Sequence, residues 1–234
     1  PLRRMFYNLQ GFRLPLQVLK NNCSDKRIFY ANTDISLELE AKKTSKLSLY
    51  TLANLVKFAL KEKPLIGRLE NRKVSAKALT KIKQENYKNI KGTSADGIGI
   101  AQILYGKNAA KTNPEAMNNQ LGFMRKSLQL PTQKGVSLIT LRENKELAKQ
   151  AVLYMTGNDT FRLSSAEMLN LKKYLTSGGF LFADSACSCE EFHKSFTSML
   201  RKLFPHAKLE IIPTDNPLYQ DPFHLLQLKN PYII

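Results

Sequence analysis

The chain has 234 residues, 43% of them hydrophobic, and its 36 Lys and Arg residues outnumber 19 Asp and Glu residues to give a net charge of +17. This apolar fraction can bury a core and excludes disorder of the whole chain, while the length suits one large domain or one ordinary domain with an extension. The longest apolar stretch is interrupted by Thr51, Asn54 and Lys57, so no segment reaches the roughly 20 apolar residues that span a bilayer.

Positive charge is concentrated in the first part of the chain. Residues 1–93 hold 20 basic and 7 acidic residues, and residues 61–91 alone hold ten Lys or Arg residues against three Glu. Such a run usually faces water as a solvated helix or linker, and the alternative is a basic surface that docks on an anionic polymer or lipid. We expect residues 1–93 to form a basic, partly helical N-terminal extension, followed by an α/β domain over residues 94–234.

Two elements are predicted within this extension. Residues 27–39 are typical of a strand and a turn, with the break at Asn32-Thr33-Asp34. Residues 46–62 carry leucines and other apolar side chains at spacings of 3 and 4, which predicts an amphipathic helix. A helix with one apolar face needs a surface to cover it, so we expect it to pack on the following domain or on a part of the protein absent from this chain.

From residue 98 onward, strands and helices alternate. The sequence predicts strands over residues 98–105, 136–141, 151–156, 180–183 and 209–212. The helix over 114–128 has Pro114 in its first turn, and the helices over 164–176 and from about 189 to 204 begin at the capping boxes Ser164/Glu167 and Ser188/Glu191. This alternation predicts an open three-layer α/β sandwich with a mainly parallel sheet and helices on both faces.

Three cysteines, Cys23, Cys187 and Cys189, are too few for a disulfide framework, and we expect free thiols. The chain begins at Pro1 without an initiator Met and stops after residues 230–234, so we expect a fragment cut at both ends, and the missing targeting signal says little about the compartment.

Ligands of parallel sheets sit beyond the carboxyl ends of the strands. That rule predicts that three segments form one surface: Tyr105-Gly106, Thr156-Gly157-Asn158-Asp159 and Asp184-Ser185-Ala186-Cys187. Small residues there would leave a concave floor with polar groups around it. The predicted ligand-binding residues are Gly106, Thr156, Gly157, Asn158, Asp184 and Ser185.

The stretch from Leu153 to Tyr219 resembles an uncharacterised bacterial domain family. The matching features are the Thr156-Gly157 turn, the Leu-Lys-Lys-Tyr-Leu helix ending in Gly178-Gly179, Asp184 at the end of the next strand, Phe192, the Leu203-Phe204-Pro205 stop, and Pro213 with Asp215 and Pro217. The resemblance implies a flavodoxin-like fold of the class I glutamine amidotransferase type, found in terpenoid-cyclase-like and membrane-anchored envelope proteins. It also implies that the family domain continues past residue 234.

The resemblance implies little chemistry. In amidotransferases of this fold, the strand after the Gly-Gly turn delivers a nucleophilic Cys that a His activates. Here the corresponding position falls at about Asp184 or Ser185, Cys187 comes two or three residues later, and the family's Asp-His-Pro is Asp215-Asn216-Pro217. Asp184 is a candidate general base or ligand acceptor, with capping of the following turn, or of the helix beginning near Cys189, as the equal alternative.

The remaining candidate groups are weaker. The helix start near Cys187 and Cys189 favours thiolate, but Glu190 and Glu191 oppose it. His193 follows an apolar position and is expected to face solvent. No metal site and no cofactor are predicted, because Cys187-x-Cys189 lacks paired ligand spacing and residues 106–110 lack a phosphate-loop ending.

Three functions follow as hypotheses. The first is a non-catalytic module of a larger bacterial protein that binds a ligand or protein partner at the strand carboxyl ends. The second is a divergent amidotransferase-like hydrolase that uses Asp184 or Cys187. The third is docking on an anionic polymer or lipid through the basic surface of the N-terminal part. The compartment is not determined, and both a cytoplasmic and an envelope-associated protein fit.

Overall fold

The structure is a computed structural model that describes residues 16–20, 27–32, 35–40, 46–61, 93–94, 97–106, 112–142 and 144–225. Within these residues, no helix is long and apolar enough to cross a membrane. Three features of the sequence lie outside the described residues: the basic run over 61–91 except for its first residue, the loop at 107–111, and Cys23.

A seven-stranded, mostly parallel sheet forms the centre of the molecule. Its strands follow the spatial order β6-β5-β7-β8-β2-β1-β9, and every strand runs parallel to its neighbour except β1, which is antiparallel to both β2 and β9. A separate two-stranded ribbon pairs β3 with β4. The strands are β1 (Leu16–Lys20), β2 (Ile28–Ala31), β3 (Thr93–Ser94), β4 (Gly97–Ile98), β5 (Ile100–Leu104), β6 (Ser137–Thr140), β7 (Val152–Gly157), β8 (Leu181–Ser185) and β9 (Lys208–Ile211).

Helices cover both faces of the sheet and complete a three-layer α/β architecture. Alternate residues of the central strands point into two separate cores, as Phe180 and Phe182 do on one face and Leu181 and Ala183 on the other. One core packs against α1 (Ile35–Glu40), α2 (Lys46–Lys61) and α3 (Ala116–Ser127). The second core packs against α4 (Asn144–Leu147), α5 (Ser165–Thr176) and α6 (Glu190–Leu203).

The N-terminal elements are part of this sheet and core. Strand β2 lies beside β8, with Ala31 in register with Asp184, and β1 pairs with β9. Helices α1 and α2 bury Leu39 and Leu55 in the same core as strands β7 and β8. The sheet and its core therefore contain segments from both sides of residue 93. Parallel pairing between segments about 150 residues apart has no local signal in the sequence.

The predicted helices and strands after residue 98 form close to their predicted bounds, and the Ser164/Glu167 capping box is present. Three local predictions are wrong. Residues 35–40 form a helix rather than the end of a turn. Strand β8 ends at Ser185, two residues later than predicted, and begins one residue later, at Leu181. The Ser188/Glu191 capping box does not form, because Ser188 has a left-handed φ of 51° and its hydroxyl donates to the Asn32 carbonyl (3.3 Å) instead.

Candidate functional site at the strand carboxyl ends

The segments nominated by the sequence meet at one edge of the sheet. Thr156 and Gly157, at the end of β7, lie in register with Asp184 and Ser185, at the end of β8. The Tyr105 hydroxyl, which follows β5, donates a hydrogen bond to the Thr156 carbonyl. We define the carboxyl edge as residues 105–106, 156–159 and 184–189.

Asp184 is a member of this edge whose side chain is fully buried. Tyr154 Oη donates to its Oδ1 at 2.6 Å, and the backbone N–H of Ser36 donates to its Oδ2 at 2.9 Å. Ser36 is in the first turn of α1, where unpaired N–H groups and the helix dipole favour a negative charge. Asp184 therefore caps α1, which lies 148 residues earlier in the chain, and not the following turn or the helix near Cys189 that the capping interpretation named.

Further polar side chains surround the Asp184 carboxylate. The Ser36 hydroxyl lies 3.4 Å from the Thr156 hydroxyl and accepts a hydrogen bond from Asn113 Nδ2 at 2.8 Å. Burial, followed by the charge of Asp184, raises the pKa of the Tyr154 hydroxyl well above its usual value. Tyr154 is thus held as a neutral hydrogen-bond donor to the carboxylate.

Helix α1 is fixed in this position from its other side by α3. Asn119 Nδ2 donates to the Leu39 carbonyl at 2.8 Å, and the backbone N–H of Glu115 donates to the Glu40 carboxylate at 2.7 Å. The six-residue helix is therefore bonded at both of its ends, which compensates for its short length because so short a helix is not stable alone.

Aromatic side chains occupy the space above Gly157. A Cβ atom added at Gly157 would overlap the Tyr105 hydroxyl and approach Phe192 to 3.2 Å. The Phe161 ring centroid lies 4.7 Å from that of Tyr105 and 5.4 Å from that of Phe192. The sequence predicted a concave floor of small residues at this point, and that prediction is wrong because the rings of Tyr105, Phe161 and Phe192 fill the space.

A second polar cluster lies on the α6 side of the sheet. The Ser185 hydroxyl is buried and donates to the Cys189 carbonyl at 2.8 Å. His193 Nδ1 lies 2.9 Å from the Tyr30 hydroxyl, which also donates to Asn32 Oδ1 at 3.2 Å. His193 is half-buried and stacks on Tyr30, so the expectation that it faces solvent is wrong.

The two described cysteines occupy the turn between β8 and α6. Cys187 is exposed, with a left-handed φ of 55°. The Cys189 sulfur lies 3.1 Å from the Asn158 carbonyl oxygen and 3.0 Å from the Glu191 carboxylate, so its single S–H is shared between these two acceptors. Burial, together with the hydrogen bond to Glu191, raises the pKa of the Cys189 thiol. Burial and the hydrogen bond to Glu191 thus outweigh the backbone N–H groups of the helix start, which favour a thiolate.

The outer part of the carboxyl edge remains accessible. Gly106, Asn158, Asp159, Cys187 and Ser188 are exposed, whereas Thr156, Gly157, Asp184 and Ser185 are buried. The Cys189–Asn158 hydrogen bond places the loop after β7 beside the turn after β8, so their exposed residues form one continuous rim. Among the described residues, no group of three or more His, Cys, Asp or Glu side chains is placed to hold a metal ion.

The partners of Asp184 are not predicted by the sequence. Tyr154 was included only as a member of an apolar strand, and Ser36 lies in a segment that the sequence assigned to a turn. A signal was available for Tyr154, because a tyrosine in one buried strand is followed by an Asp at the end of the next strand. Ser36 and Asn113 gave no signal, because their role depends on where α1 docks.

Taken together, these features define an α/β domain with a mostly parallel sheet whose carboxyl edge is packed and whose strand-end carboxylate is paired. Residues 99–233 match the family model of DUF4159, a domain of unknown function, and the chain belongs to this family. A comparison with curated proteins finds no match. Strand β2 and helix α1, which complete the surroundings of Asp184, precede the matched residues.

Proposed function

We propose that the chain is a non-catalytic binding module of a larger bacterial protein and that it recognises a protein partner through the exposed rim of the carboxyl edge. The observation that carries this proposal is the state of Asp184. Both of its oxygens accept hydrogen bonds from the protein's own Tyr154 and Ser36, and α1 covers it. A general base needs a lone pair within reach of a substrate proton.

The surroundings of the carboxyl edge support the same conclusion. The crevice above Gly157 is filled by Tyr105, Phe161 and Phe192. Small-molecule sites are concave and bury most of the ligand surface. A filled crevice with an exposed polar rim is better suited to binding the surface of a protein partner than to binding a small molecule.

We also infer that the sheet is derived from the flavodoxin-like, amidotransferase-like type. Counted from β5, the strands β5, β6, β7 and β8 lie in the spatial order 2-1-3-4, which is the order in which flavodoxin-like sheets begin. The fifth place is taken by β2 from the N-terminal part of the chain, and β1 adds an antiparallel strand. The proposed relationship is thus one of fold and not of activity.

The alternative is a divergent hydrolase that uses Asp184 or Cys187. One observation favours it: Cys187 is exposed and left-handed at a turn between a strand and a helix, which is how nucleophilic side chains are presented in several hydrolases. Assays of glutamine hydrolysis, by ammonia release, and of p-nitrophenyl acetate hydrolysis separate the two functions. If the chain is a non-catalytic binding module, the wild-type chain is expected to show no turnover above background. Turnover that Cys187→Ser or Asp184→Asn abolishes would establish the hydrolase instead.

Site-specific photo-crosslinking in cells tests the binding role. A benzoylphenylalanine residue placed at Asn158, on the rim, is expected to give a discrete crosslinked species. The matched control is the same residue at Lys149, which is exposed and precedes the amino end of β7. Crosslinking that is equally strong at both positions, or absent at position 158, would contradict recognition at the rim.

A further inference from the structure

The outer face of the helical layer formed by α5 and α6 carries unbalanced positive charge. Lys172 and Lys173 are exposed near the end of α5, and Arg201 and Lys202 are exposed in the last turn of α6. Lys172 Nζ lies 6.0 Å from the centroid of the Phe204 ring, which follows α6, so the ends of the two helices lie side by side. We define the basic face as Lys172, Lys173, Arg201 and Lys202.

Carboxylates are missing from the sequence around these cations. No Asp or Glu occurs over residues 168–183 or over residues 192–209. The nearest acidic side chains along the chain are already engaged, since Glu167 pairs with Arg142 (3.5 Å) and Glu210 pairs with Lys20 (2.9 Å). Glu191 precedes Arg201 by ten residues, which is about 15 Å along a helix and beyond the Debye length of roughly 8 Å at physiological salt.

Helix stability alone does not account for this concentration of charge. Cations near the carboxyl end of a helix interact favourably with the helix dipole, but each contribution is small, and four cations on two helix ends that lie side by side also repel one another.

An apolar side chain lies next to these cations. Leu169 is 52% exposed and precedes Lys172 and Lys173 on α5 by three and four residues, the spacing of neighbours on one helix surface. The aromatic ring nearest the cations, that of Phe204, is buried and unavailable for stacking on nucleic-acid bases. Lysines bind as point charges without the planar pairing that arginine offers, which suits a fluid array of headgroups.

From this arrangement we propose that the basic face docks on the surface of an anionic phospholipid bilayer, with Leu169 contacting the acyl boundary. Each Lys or Arg held near such a surface adds to the attraction, and the attraction falls off within a Debye length. The surface lies on the helical layer, away from the carboxyl edge, and the proposal does not depend on the function proposed for that edge.

Vesicle co-sedimentation of the full 234-residue chain tests this proposal. The probes are vesicles of phosphatidylcholine alone and vesicles that also contain phosphatidylglycerol at about one lipid in three. Binding is expected to the anionic vesicles only, and to weaken at about 0.5 M NaCl because salt screens the charges. Failure to bind anionic vesicles at low salt would overturn the proposal.

Charge-neutralised variants locate the surface. The triple variant Lys172→Gln, Lys173→Gln and Lys202→Gln is expected to lose about 30-fold or more in vesicle affinity. The matched control neutralises three exposed lysines elsewhere, Lys46→Gln, Lys126→Gln and Lys134→Gln, and should change the affinity less than about threefold. An equal loss in both variants, or no loss in the first, would assign the binding to another part of the chain and refute the basic face.

Binding measurements with heparin and duplex DNA distinguish a lipid partner from a nucleic-acid partner. Leu169→Ser is expected to weaken vesicle binding about fivefold while heparin and duplex DNA binding stay unchanged, because only the bilayer offers apolar contact. Circular dichroism melting of each variant checks that the fold is retained. Duplex binding that depends on the three lysines, without vesicle binding, would show a nucleic-acid surface and overturn the lipid assignment.

Discussion

Asp184 is a buried carboxylate whose hydrogen-bond donors come from two distant segments. Burying an ionised group without partners costs several kcal/mol, and hydrogen bonds to charged groups reduce that cost. Tyr154 donates to one oxygen from the neighbouring strand, and the Ser36 N–H donates to the other from the start of α1. The carboxylate therefore joins the sheet to a helix, and its removal should affect stability.

We predict that Asp184→Asn lowers the free energy of unfolding by about 1–3 kcal/mol, because an amide offers one acceptor oxygen where two are used. Urea unfolding followed by circular dichroism measures the effect. Asp159→Asn is the matched control, since Asp159 is exposed and its bond from the Thr160 N–H needs only one oxygen. Its expected change is within about 0.5 kcal/mol. Equal stability of the two variants would contradict the capping role of Asp184.

At the scale of elements, helix α2 is joined to the last described loop of the chain by one buried side chain. Asn54 Nδ2 donates to the carbonyls of Leu218 (2.7 Å) and Phe223 (2.9 Å), and Asn54 Oδ1 accepts from the Phe223 N–H (3.1 Å). The Tyr50 ring stacks on Phe223 with centroids 3.9 Å apart. The apolar face of the predicted helix is thus covered partly by residues more than 160 positions later.

Asn54→Ala is expected to lower the free energy of unfolding by about 2–4 kcal/mol, because three buried backbone groups lose their partner. Thermal and urea unfolding give the magnitude, and Asn158→Ala, at an exposed position, is the control with an expected change under about 0.5 kcal/mol. If α2 were a loosely attached part of an extension, Asn54→Ala would leave the main unfolding transition in place.

At the scale of the whole molecule, buried tyrosines on both faces of the sheet link stability to alkaline pH. Burial raises the pKa of the Tyr30, Tyr105 and Tyr154 hydroxyls well above the usual value and raises the pKa of Tyr219 to about 12. In the unfolded chain these hydroxyls ionise near pH 10. Above that pH the unfolded state releases protons that the folded state keeps, so the folded state loses stability as the pH rises.

The free energy of unfolding is therefore expected to vary little with these tyrosines below about pH 9.5 and to fall between about pH 10 and 12. Tyr105→Phe should reduce the steepness of that fall by about 1.4 kcal/mol per pH unit, the amount for one proton. Urea unfolding at several pH values, with tyrosinate absorbance recorded in parallel, measures both quantities. An unchanged slope in the variant would show that Tyr105 ionises equally in both states.

The elements after residue 98 were predictable because each of them is encoded locally. The alternating apolar segments, the Ser164/Glu167 capping box and the Pro205 stop each act within a few residues of the chain. They define a parallel sheet with helices on two faces and place Thr156 and Asp184 at the same edge. The family match begins at residue 99, in the same region.

The sequence by itself determined this layered α/β class and the position of Asp184 at a strand end. Only the tertiary structure decided that β2 lies beside β8, that α1 covers Asp184 and that the rings of Tyr105 and Phe192 fill the space above Gly157. The physical reason is distance along the chain. Periodicity and capping report interactions between near neighbours, whereas the state of a strand-end carboxylate depends on which remote segments donate hydrogen bonds to it and exclude water.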